Sequence, residues 1–282
     1  YLMGQMAVDE AIRNALAVGA EFSSSSPEAL FALVDNFCWP DPTDSSEFAA
    51  ALVRAAYGMK RACDEFRIPL ISGKDSMKND LRAEKNGQKM RLSILPTLLM
   101  TALGRIQDLS LARTADWKTV GDVIFLLGPQ ESVGFAGSIA GELGLVHGEE
   151  MNSRPRPDYE VARRLYDFLG SSRSGLIRSA HDCAEGGLGV ALVESCFARG
   201  LGVHWEKPVL PSRLEFWGEG FHRLLVSCAA QDEGRLREEL ARAGVPALKV
   251  GVVTREPELV IGANRFSLER FWRVWSSGKV SS

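Results

Sequence analysis

The residue types that bind phosphate are concentrated in residues 68–79, which read IPLISGKDSMKN. Gly73 has no side chain, so its backbone N–H is able to lie against a phosphate, and Lys74 adds a positive charge. Asp75 can hold a divalent cation or orient the lysine, and Ser76 offers a neutral hydrogen bond. The spacing differs from that of a Walker A loop. We interpret the stretch either as a phosphate-handling loop that turns at Ser72 and Gly73 or as an ordinary loop between a strand and a helix.

Asp35 is the second candidate, because it lies at the end of a strand predicted over residues 29–37. A helix predicted over 47–66, capped by Ser45 or Ser46, leads from this strand to the Gly73 stretch. The order strand, helix, strand indicates a βαβ-like unit, and ligands bind at the strand ends of such sheets. We therefore expect Asp35 and Gly73 to lie at equivalent strand ends. The alternative is an Asx turn that only closes the strand.

A third candidate pair lies on a predicted helix. Apolar residues recur at helical spacing over residues 6–18, which predicts an amphipathic helix. Glu10 and Asn14 are four residues apart on a different face of it. A carboxylate and an amide one turn apart can hold a metal ion together with nucleotide phosphates. The alternative is a solvated helix face.

The fourth candidate is the sequence HDCAEGGLG at residues 181–189, between a predicted strand and a predicted helix. Asp182 is a potential metal ligand, and the backbone of Gly186 and Gly187 could approach a phosphate, because helix N-termini attract anions. The alternative is that Asp182 or Glu185 merely caps the helix.

The bulk composition indicates an ordinary globular protein. The chain has 282 residues, of which 45% are hydrophobic, and a net charge of −3. This mild acidity gives no general attraction to nucleic acid or to an anionic membrane, and no apolar run reaches the roughly 20 residues that span a bilayer. Five cysteines without a C-x-x-C pair favour a reducing, cytoplasmic setting and argue against zinc. The chain begins with Tyr1 near a helix start, so we expect it to be a piece of something longer.

Outside these candidates the patterns predict a flexible loop over 79–90, one or two buried strands over 91–105 and a change of domain over 107–118. Ser26 and Pro27 predict a turn. Glu219 and Arg223 are predicted to pair at a strand mouth or to face solvent.

Four motifs occur in one order: MAVDEAIRN at 6–14, VDNF at 34–37, GKDSM at 73–77 and HDCAEGGL at 181–188. Together they resemble the C-terminal half of the synthetase part of phosphoribosylformylglycinamidine synthase. This family belongs to the superfamily that includes aminoimidazole ribonucleotide synthetase, and the resemblance extends to about Val253. It implies a half-barrel α+β domain over residues 1–112, truncated at its start, followed by an α/β domain over 113–282.

The resemblance also implies an activity. The family is an ATP-dependent C–N ligase of purine biosynthesis, in which ATP phosphorylates the amide oxygen of formylglycinamide ribonucleotide and ammonia displaces the phosphate. Asp35 and Gly73 match nucleotide-contacting positions, Lys74 replaces a metal-binding Asn and can contact phosphate, and Ser76 matches a substrate-contacting position. The Mg²⁺ ligands of a nucleotide site that is thought to be structural in the family's large form are matched by Glu10, Asn14 and Asp182.

The sequence departs from the family pattern at two places. Ala184 replaces a serine that contacts nucleotide in the large form, and residues 219–223 read EGFHR where the family has E-S-x-S-R, so both hydroxyls are lost. No catalytic residue is assigned, because the family's catalytic histidine lies in the N-terminal half. The chain alone is therefore expected to be inactive.

The implied partners are formylglycinamide ribonucleotide, the N-terminal half of the synthase, a glutaminase that supplies ammonia, and a second copy of the chain through the half-barrel edge. One alternative is a non-catalytic nucleotide-binding or assembly module. Another is a selenophosphate synthetase-like or thiamine-phosphate kinase-like enzyme. That alternative needs a reactive Cys or selenocysteine in a Gly-rich N-terminal loop or a different acidic set, and the sequence has neither.

Overall fold

The computed structural model of the chain describes residues 1–24, 28–206 and 211–278. Packing divides the chain into two compact units, one comprising Tyr1–Ala15 with Ser24–Arg105 and the other Leu16–Ser23 with Ile106–Ser282. The domain limits inferred from the sequence stay a prediction, and the turn predicted at Ser26 and Pro27 lies outside the described residues. The elements up to residue 105 are α1 Leu2–Ala17, β1 Phe31–Cys38, α2 Ser46–Phe66, β2 Leu70–Ser76, β3 Asp80–Lys85, β4 Gln88–Ser93 and β5 Thr97–Gly104.

Both predicted helices of the first unit form. Helix α1 begins four residues before the predicted start at residue 6, and Val8 and Ile12 of its apolar stripe are fully buried. Helix α2 has Ser45 as its N-cap, with Ser45 Oγ accepting a hydrogen bond from the Phe48 N–H at 3.1 Å. This contact satisfies one of the donors that a helix start leaves unpaired. The helix ends where Arg67 adopts a left-handed conformation with φ 55°.

The predicted βαβ unit also forms, because β1 and β2 pair in parallel with α2 between them in the sequence. Strand β5 pairs antiparallel to the other edge of β1, which gives a three-stranded sheet in the order β2-β1-β5. Side chains alternate between the two faces of a strand. Leu33 and Phe37 are buried on one face, and Asp35 lies between them on that same face.

The predicted loop over residues 79–90 is instead a β-hairpin made of β3 and β4. Asn86 and Gly87 form its turn with φ angles of 55° and 76°. Asn-Gly is the pair that a two-residue hairpin turn favours, since both residues tolerate positive φ. The prediction of a loop was therefore wrong, because Asn86 and Gly87 join two strands in a hairpin.

The prediction of buried strands over residues 91–105 was half right. The end of β4 and all of β5 are extended, but in β5 only Leu98 is buried, whereas Leu99 is 56% exposed and Leu103 is 52% exposed. The pleat explains the difference, because it turns alternate apolar side chains of one strand to opposite faces. One sheet face of this unit therefore carries exposed leucines.

A seven-stranded sheet forms the core of the second unit, in the order β14-β13-β9-β12-β6-β11-β8. All neighbours are antiparallel except β13 and β9. The elements are β6 Val123–Leu127, β7 Val133–Gly134, α3 Ile139–Glu142, α4 Tyr159–Leu169, β8 Ile177–Asp182, α5 Gly187–Phe197, β9 Gly202–Trp205, α6 Arg213–Trp217, β10 Glu219–Gly220, β11 Leu224–Cys228, α7 Glu233–Arg242, β12 Ala247–Thr254, β13 Glu258–Ile261, β14 Asn264–Ser267 and α8 Leu268–Ser277.

Strands β6 and β11 are buried throughout, which explains their continuous apolar sequences. Helix α5 packs against this sheet and contributes Leu188 and Leu192 to a core that also contains Trp205. The neighbouring His204 is exposed. No helix among residues 1–24, 28–206 and 211–278 is long and apolar enough to cross a membrane.

Candidate functional site

Asp35 and Gly73 lie side by side in the first unit. They are register partners of the parallel strands β1 and β2. A Cβ built on Gly73 would stand 2.5 Å from Asp35 Oδ1, so only glycine at this position leaves room for the Asp35 carboxylate. Burial raises the pKa of Asp35, and the nearby Asp75 carboxylate adds to that effect. The predicted proximity is confirmed.

The predicted turn at Ser72 and Gly73 is wrong. Strand β2 continues through Gly73 to Ser76, paired with β1 along its length, and the next element is a hairpin rather than a helix. Gly73 therefore lies within β2 and Asp35 within β1, so the prediction that they occupy equivalent strand ends was wrong. Its lack of a side chain accommodates Asp35, which is a different role from the predicted backbone cradle for phosphate.

Lys74 and Ser76 project from the other face of the sheet. Lys74 Nζ donates to Ser76 Oγ at 2.9 Å, and Ser76 Oγ in turn donates to Asn36 Oδ1 at 3.1 Å. The three residues form a polar cluster that we call the Lys74 cluster. It was only partly predicted: Asn36 was missed, although its place next to Asp35 puts it on the opposite face of β1.

Glu10 and Asn14 occupy successive turns of α1, with Asn14 exposed and Glu10 half-buried. The adjacent face carries an ion pair that sequence reasoning missed, in which Arg13 Nε contacts Asp9 Oδ2 at 2.9 Å with both side chains 1% exposed. A buried carboxylate requires such a partner, because desolvation of an isolated charge is costly. Asp9 and Arg13 thus have a structural role on this helix.

Asp182 lies in the second unit and is the last residue of β8, not a loop residue. His181 Nδ1 is 3.4 Å from Asp182 Oδ1, and His181 Nε2 is 3.0 Å from Glu194 Oε2. Burial alone would lower the pKa of His181, but its hydrogen bonds to the two carboxylates outweigh burial and raise that pKa to about 9. At neutral pH the imidazole therefore places a positive charge between the carboxylates of Asp182 and Glu194. Glu194 had no sequence signal, since it is 13 residues away on α5.

The two glycines before α5 do not form an open phosphate site. The Gly186 N–H donates to Glu219 Oε1 at 2.9 Å, and the Gly187 N–H donates to the Ala184 carbonyl at 3.0 Å. Glu219 Oε1 also accepts from the Ile139 N–H at 2.8 Å. The carboxylate of Glu219 therefore occupies the position at which an anion would meet this helix start. Neither Asp182 nor Glu185 caps the helix, because its N-cap is Gly186.

Both glycines are explained by local geometry. Gly186 and Gly187 have φ angles of 73° and 65°, which L side chains rarely adopt, and a Cβ on Gly187 would stand 2.5 Å from the Gly218 carbonyl oxygen. Beyond Glu219, the guanidinium of the buried Arg223 donates to the Glu215 carbonyl at 3.0 Å. Glu219 and Arg223 thus have separate hydrogen-bond partners, and the predicted strand-mouth pair is not what holds this loop.

The fit of these residues to Mg²⁺ can be judged from their donors. Within the described part of the chain, no group of three or more His, Cys, Asp or Glu side chains is arranged to hold a metal ion. Mg²⁺, however, usually takes one or two carboxylates and completes its shell with phosphates and water. The oxygen donors of Glu10, Asn14 and Asp182 have the appropriate chemistry, each as a contributor and not as part of an all-protein cage.

Two family models together match nearly the whole chain. Residues 1–106 match the model "AIR synthase related protein, N-terminal domain", and residues 119–264 match "AIR synthase related protein, C-terminal domain". The second match alone covers more than half of the chain.

Curated relatives named "Phosphoribosylformylglycinamidine synthase subunit PurL" are similar to the chain. The protein from Chelativorans sp. (strain BNC1) is 33% identical over 267 residues, which cover 93% of this chain and 34% of the relative. The protein from Nostoc sp. is 34% identical over 264 residues, which cover 90% of this chain and 31% of the relative. The chain thus spans about a third of the length of these relatives.

Solved structures share the fold at lower identity. "T. maritima PurL complexed with FGAR" has a TM-score of 0.65 at 16% identity, with 95% of this chain and 42% of that chain covered. The hydrogenase maturation protein HypE has a TM-score of 0.60 at 18% identity, with 91% of this chain and 78% of that chain covered. The fold agrees with the half-barrel and α/β architecture expected from the sequence. The chain belongs to the AIR synthase related protein family.

Proposed function

We propose that the chain is part of a phosphoribosylformylglycinamidine synthase, an ATP-dependent ligase that amidates formylglycinamide ribonucleotide in purine biosynthesis. The observation that carries this proposal is the match of about 90% of the chain to relatives of that name at about one-third identity. The juxtaposition of Asp35 and Gly73, and of Lys74 and Ser76, supports it, because these were the ligand-contacting positions implied by the motifs.

Residues on both faces of the sheet are assigned to ligands in this proposal. The Lys74 cluster places an ammonium group, a hydroxyl and an amide together on one face, and these groups suit the oxygens of a phosphate. We assign Lys74 to the phosphates of the nucleotide and Ser76 to the ribonucleotide substrate. Asp35 lies on the opposite face with Gly73 beside it and is also assigned to the nucleotide. Its carboxylate can accept a hydrogen bond from a hydroxyl or amino group.

Mg²⁺ is part of the proposal, with Glu10, Asn14 and Asp182 as contributing ligands. When bound, Mg²⁺ neutralises phosphate charge and orients the transferring phosphoryl group. The chain's own residues bind and orient the reactants, which is the larger part of what phosphoryl transfer asks of a protein. No residue is assigned to proton transfer.

The remaining partners complete the proposed assembly. We propose that ammonia comes from a glutaminase, and that the N-terminal half of the synthase supplies the catalytic histidine. We further propose that the exposed leucines of β5 lie in the interface with that half or with a second copy of the chain, since an exposed apolar face of this kind favours association. A cytoplasmic location is supported by five free thiols.

The proposal is tested by calorimetry of the chain with Mg-ATP, Mg-ADP and formylglycinamide ribonucleotide. Lys74→Met should weaken nucleotide binding about 10-fold or more, because a charge-assisted hydrogen bond to phosphate contributes about 1.5–3 kcal/mol. Ser76→Ala should weaken binding of formylglycinamide ribonucleotide by a smaller factor. Lys89→Met, on the exposed strand β4, is the matched control and should bind like the wild type.

Two outcomes would contradict the assignment. If Lys74→Met and wild type bind every ligand with equal affinity, the Lys74 cluster does not contact these ligands. Nucleotide binding without any response to formylglycinamide ribonucleotide would favour the alternative, a nucleotide-binding or assembly module. The complete synthase reaction is expected only when the N-terminal half is added.

A further inference from the structure

A continuous polar connection leads from the C-terminal helix to Asp182. Trp275 Nε1 donates to Glu194 Oε1 at 2.9 Å, and Glu194 Oε2 lies 3.0 Å from His181 Nε2. His181 Nδ1 lies 3.4 Å from Asp182 Oδ1. Helix α8, helix α5 and strand β8 each contribute to this connection, and all three belong to the second unit.

The geometry restricts each member. Both imidazole nitrogens of His181 face carboxylate oxygens, one of Glu194 and one of Asp182, so the ring is held from both sides. The two oxygens of Glu194 serve different neighbours, one the indole and one the imidazole, and rotation of this carboxylate would break one of the two contacts. The indole of Trp275 is itself held by stacking on Trp272, with ring centroids 5.3 Å apart and an interplanar angle of 24°.

Helix α8 lies beyond the part of the chain that the family model describes. The match to the C-terminal domain model ends at residue 264, whereas α8 begins at Leu268. Trp275 is 55% exposed, so burial of its ring alone does not account for its position. The hydrogen bond to Glu194 gives the indole a second role.

We propose that Trp275 and Glu194 are positioning residues for Asp182: they fix the His181 imidazole, and the imidazole fixes the direction in which the Asp182 carboxylate presents its oxygens. This inference rests on the proposed function to the extent that Asp182 contributes to a Mg²⁺-nucleotide site. The outer partners of metal ligands commonly act in this way, and their removal typically costs 10–100-fold in metal affinity.

The test uses the full chain with Trp275→Phe, which keeps an aromatic ring for stacking and removes the N–H donor. Glu194→Gln is the second variant, because it is nearly isosteric and removes the charge. Imidazole resonances of His181 are followed by NMR, where only 4 histidines need assignment, and the carboxyl-carbon resonance of Asp182 is assigned with Asp182→Asn. Mg²⁺-dependent binding of ADP is measured by calorimetry.

We expect both variants to shift the His181 and Asp182 resonances. They should also lower the affinity for ADP in the presence of Mg²⁺ about 10-fold. Trp272→Phe is the matched control, since Trp272 shares the ring stack while Glu194 accepts its hydrogen bond from Trp275. The control should leave the two resonances and the ADP affinity unchanged.

Distinct results separate this inference from the proposed function. Unmoved resonances of His181 or Asp182 in a folded Trp275→Phe chain would overturn the positioning role, whether or not ADP binds. Shifted resonances with wild-type Mg²⁺ dependence would overturn it as well. A wild-type chain that binds no Mg-ADP would contradict the proposed role of Asp182 in nucleotide binding. The Asp182 resonance in the variants would still decide the positioning role.

Discussion

The carboxylate of Asp35 occupies the space beside Gly73 that any larger residue would need. The two residues pair in register on parallel strands, and the position of a Cβ on Gly73 is 2.5 Å from Asp35 Oδ1. Their separation along the sequence is bridged by α2. The glycine is therefore a requirement of the neighbouring strand, and a substitution there should act through Asp35.

Gly73→Ala is expected to move the Asp35 carboxylate at little cost in stability. The atom that must yield is at the end of a side chain, so the free energy of unfolding should change by less than about 1 kcal/mol. Nucleotide affinity should fall if Asp35 contributes to it. Urea unfolding and calorimetry measure the two effects.

The double variant Asp35→Ala with Gly73→Ala provides the control. Asp35→Ala removes the three atoms nearest to the added methyl, so Gly73→Ala should have no further effect in that background. Additive effects of the two substitutions would show that Gly73 acts independently of Asp35.

Glu219→Ala is expected to destabilise the second unit. Its carboxylate accepts hydrogen bonds from the N–H groups of Gly186 and Ile139, and their loss leaves donors at two helix starts without this acceptor. A loss of about 2 kcal/mol follows, because an unsatisfied buried donor costs about 1–3 kcal/mol. Chemical denaturation measures the loss.

Glu219→Gln retains an acceptor oxygen and should recover most of that stability. Glu185→Ala, at an exposed neighbouring acid, should be nearly neutral. Stability of Glu219→Ala equal to that of wild type would mean that water replaces the carboxylate without penalty.

His181 should titrate far above an ordinary histidine, with an NMR midpoint near the pKa of about 9 that its two carboxylate partners produce. The folded-state pKa lies above the ordinary value of 6.5. Protonated His181 therefore stabilises the folded chain fully below pH 6.5, and this stabilisation is lost as the pH rises through about 9. The stability difference between wild type and His181→Gln should therefore shrink above pH 9. His204→Gln, at an exposed histidine, controls for the loss of an imidazole from the chain.

Only one of the five cysteines should react readily in the folded chain. Cys38 is partly exposed, whereas the other four thiols are buried. Burial raises the pKa of Cys63 and Cys228 to about 11 and that of Cys196 to about 12, so few thiolates are available at neutral pH. Titration with a disulfide reagent should count one fast thiol before denaturation and five after it. Rapid native reaction of more than one thiol would contradict the described burial.

Leu99→Lys is expected to reduce self-association of the isolated chain. Leu99 is on the face of β5 opposite Leu98 and is 56% exposed. A charge there opposes burial of this face against a second copy. Light scattering over a range of concentrations measures the effect, with Leu109→Lys in the second unit as the control. A wild-type chain that stays monomeric at high concentration would contradict the interface with a second copy.

Local sequence patterns were sufficient for elements whose signals lie within a few residues. The helical periodicity of α1 and the serine cap of α2 both appear as predicted. The hairpin of β3 and β4 was missed, although its Asn-Gly turn is equally local. Residues 181–189 were expected to lie between a strand and a helix, but His181 and Asp182 belong to β8 and α5 already begins at Gly187.

The amino-acid sequence by itself identified the chemically capable residues, their order in the family motifs and the strand-helix-strand path that joins Asp35 to Gly73. Only the tertiary structure decided that Lys74 and Ser76 leave the opposite face from Asp35, that Glu219 occupies the helix start at Gly186, and that Glu194 holds His181. Residue type and helical spacing are local properties, whereas the facing of a strand and the partner of a carboxylate depend on pairing between segments that are distant in the chain.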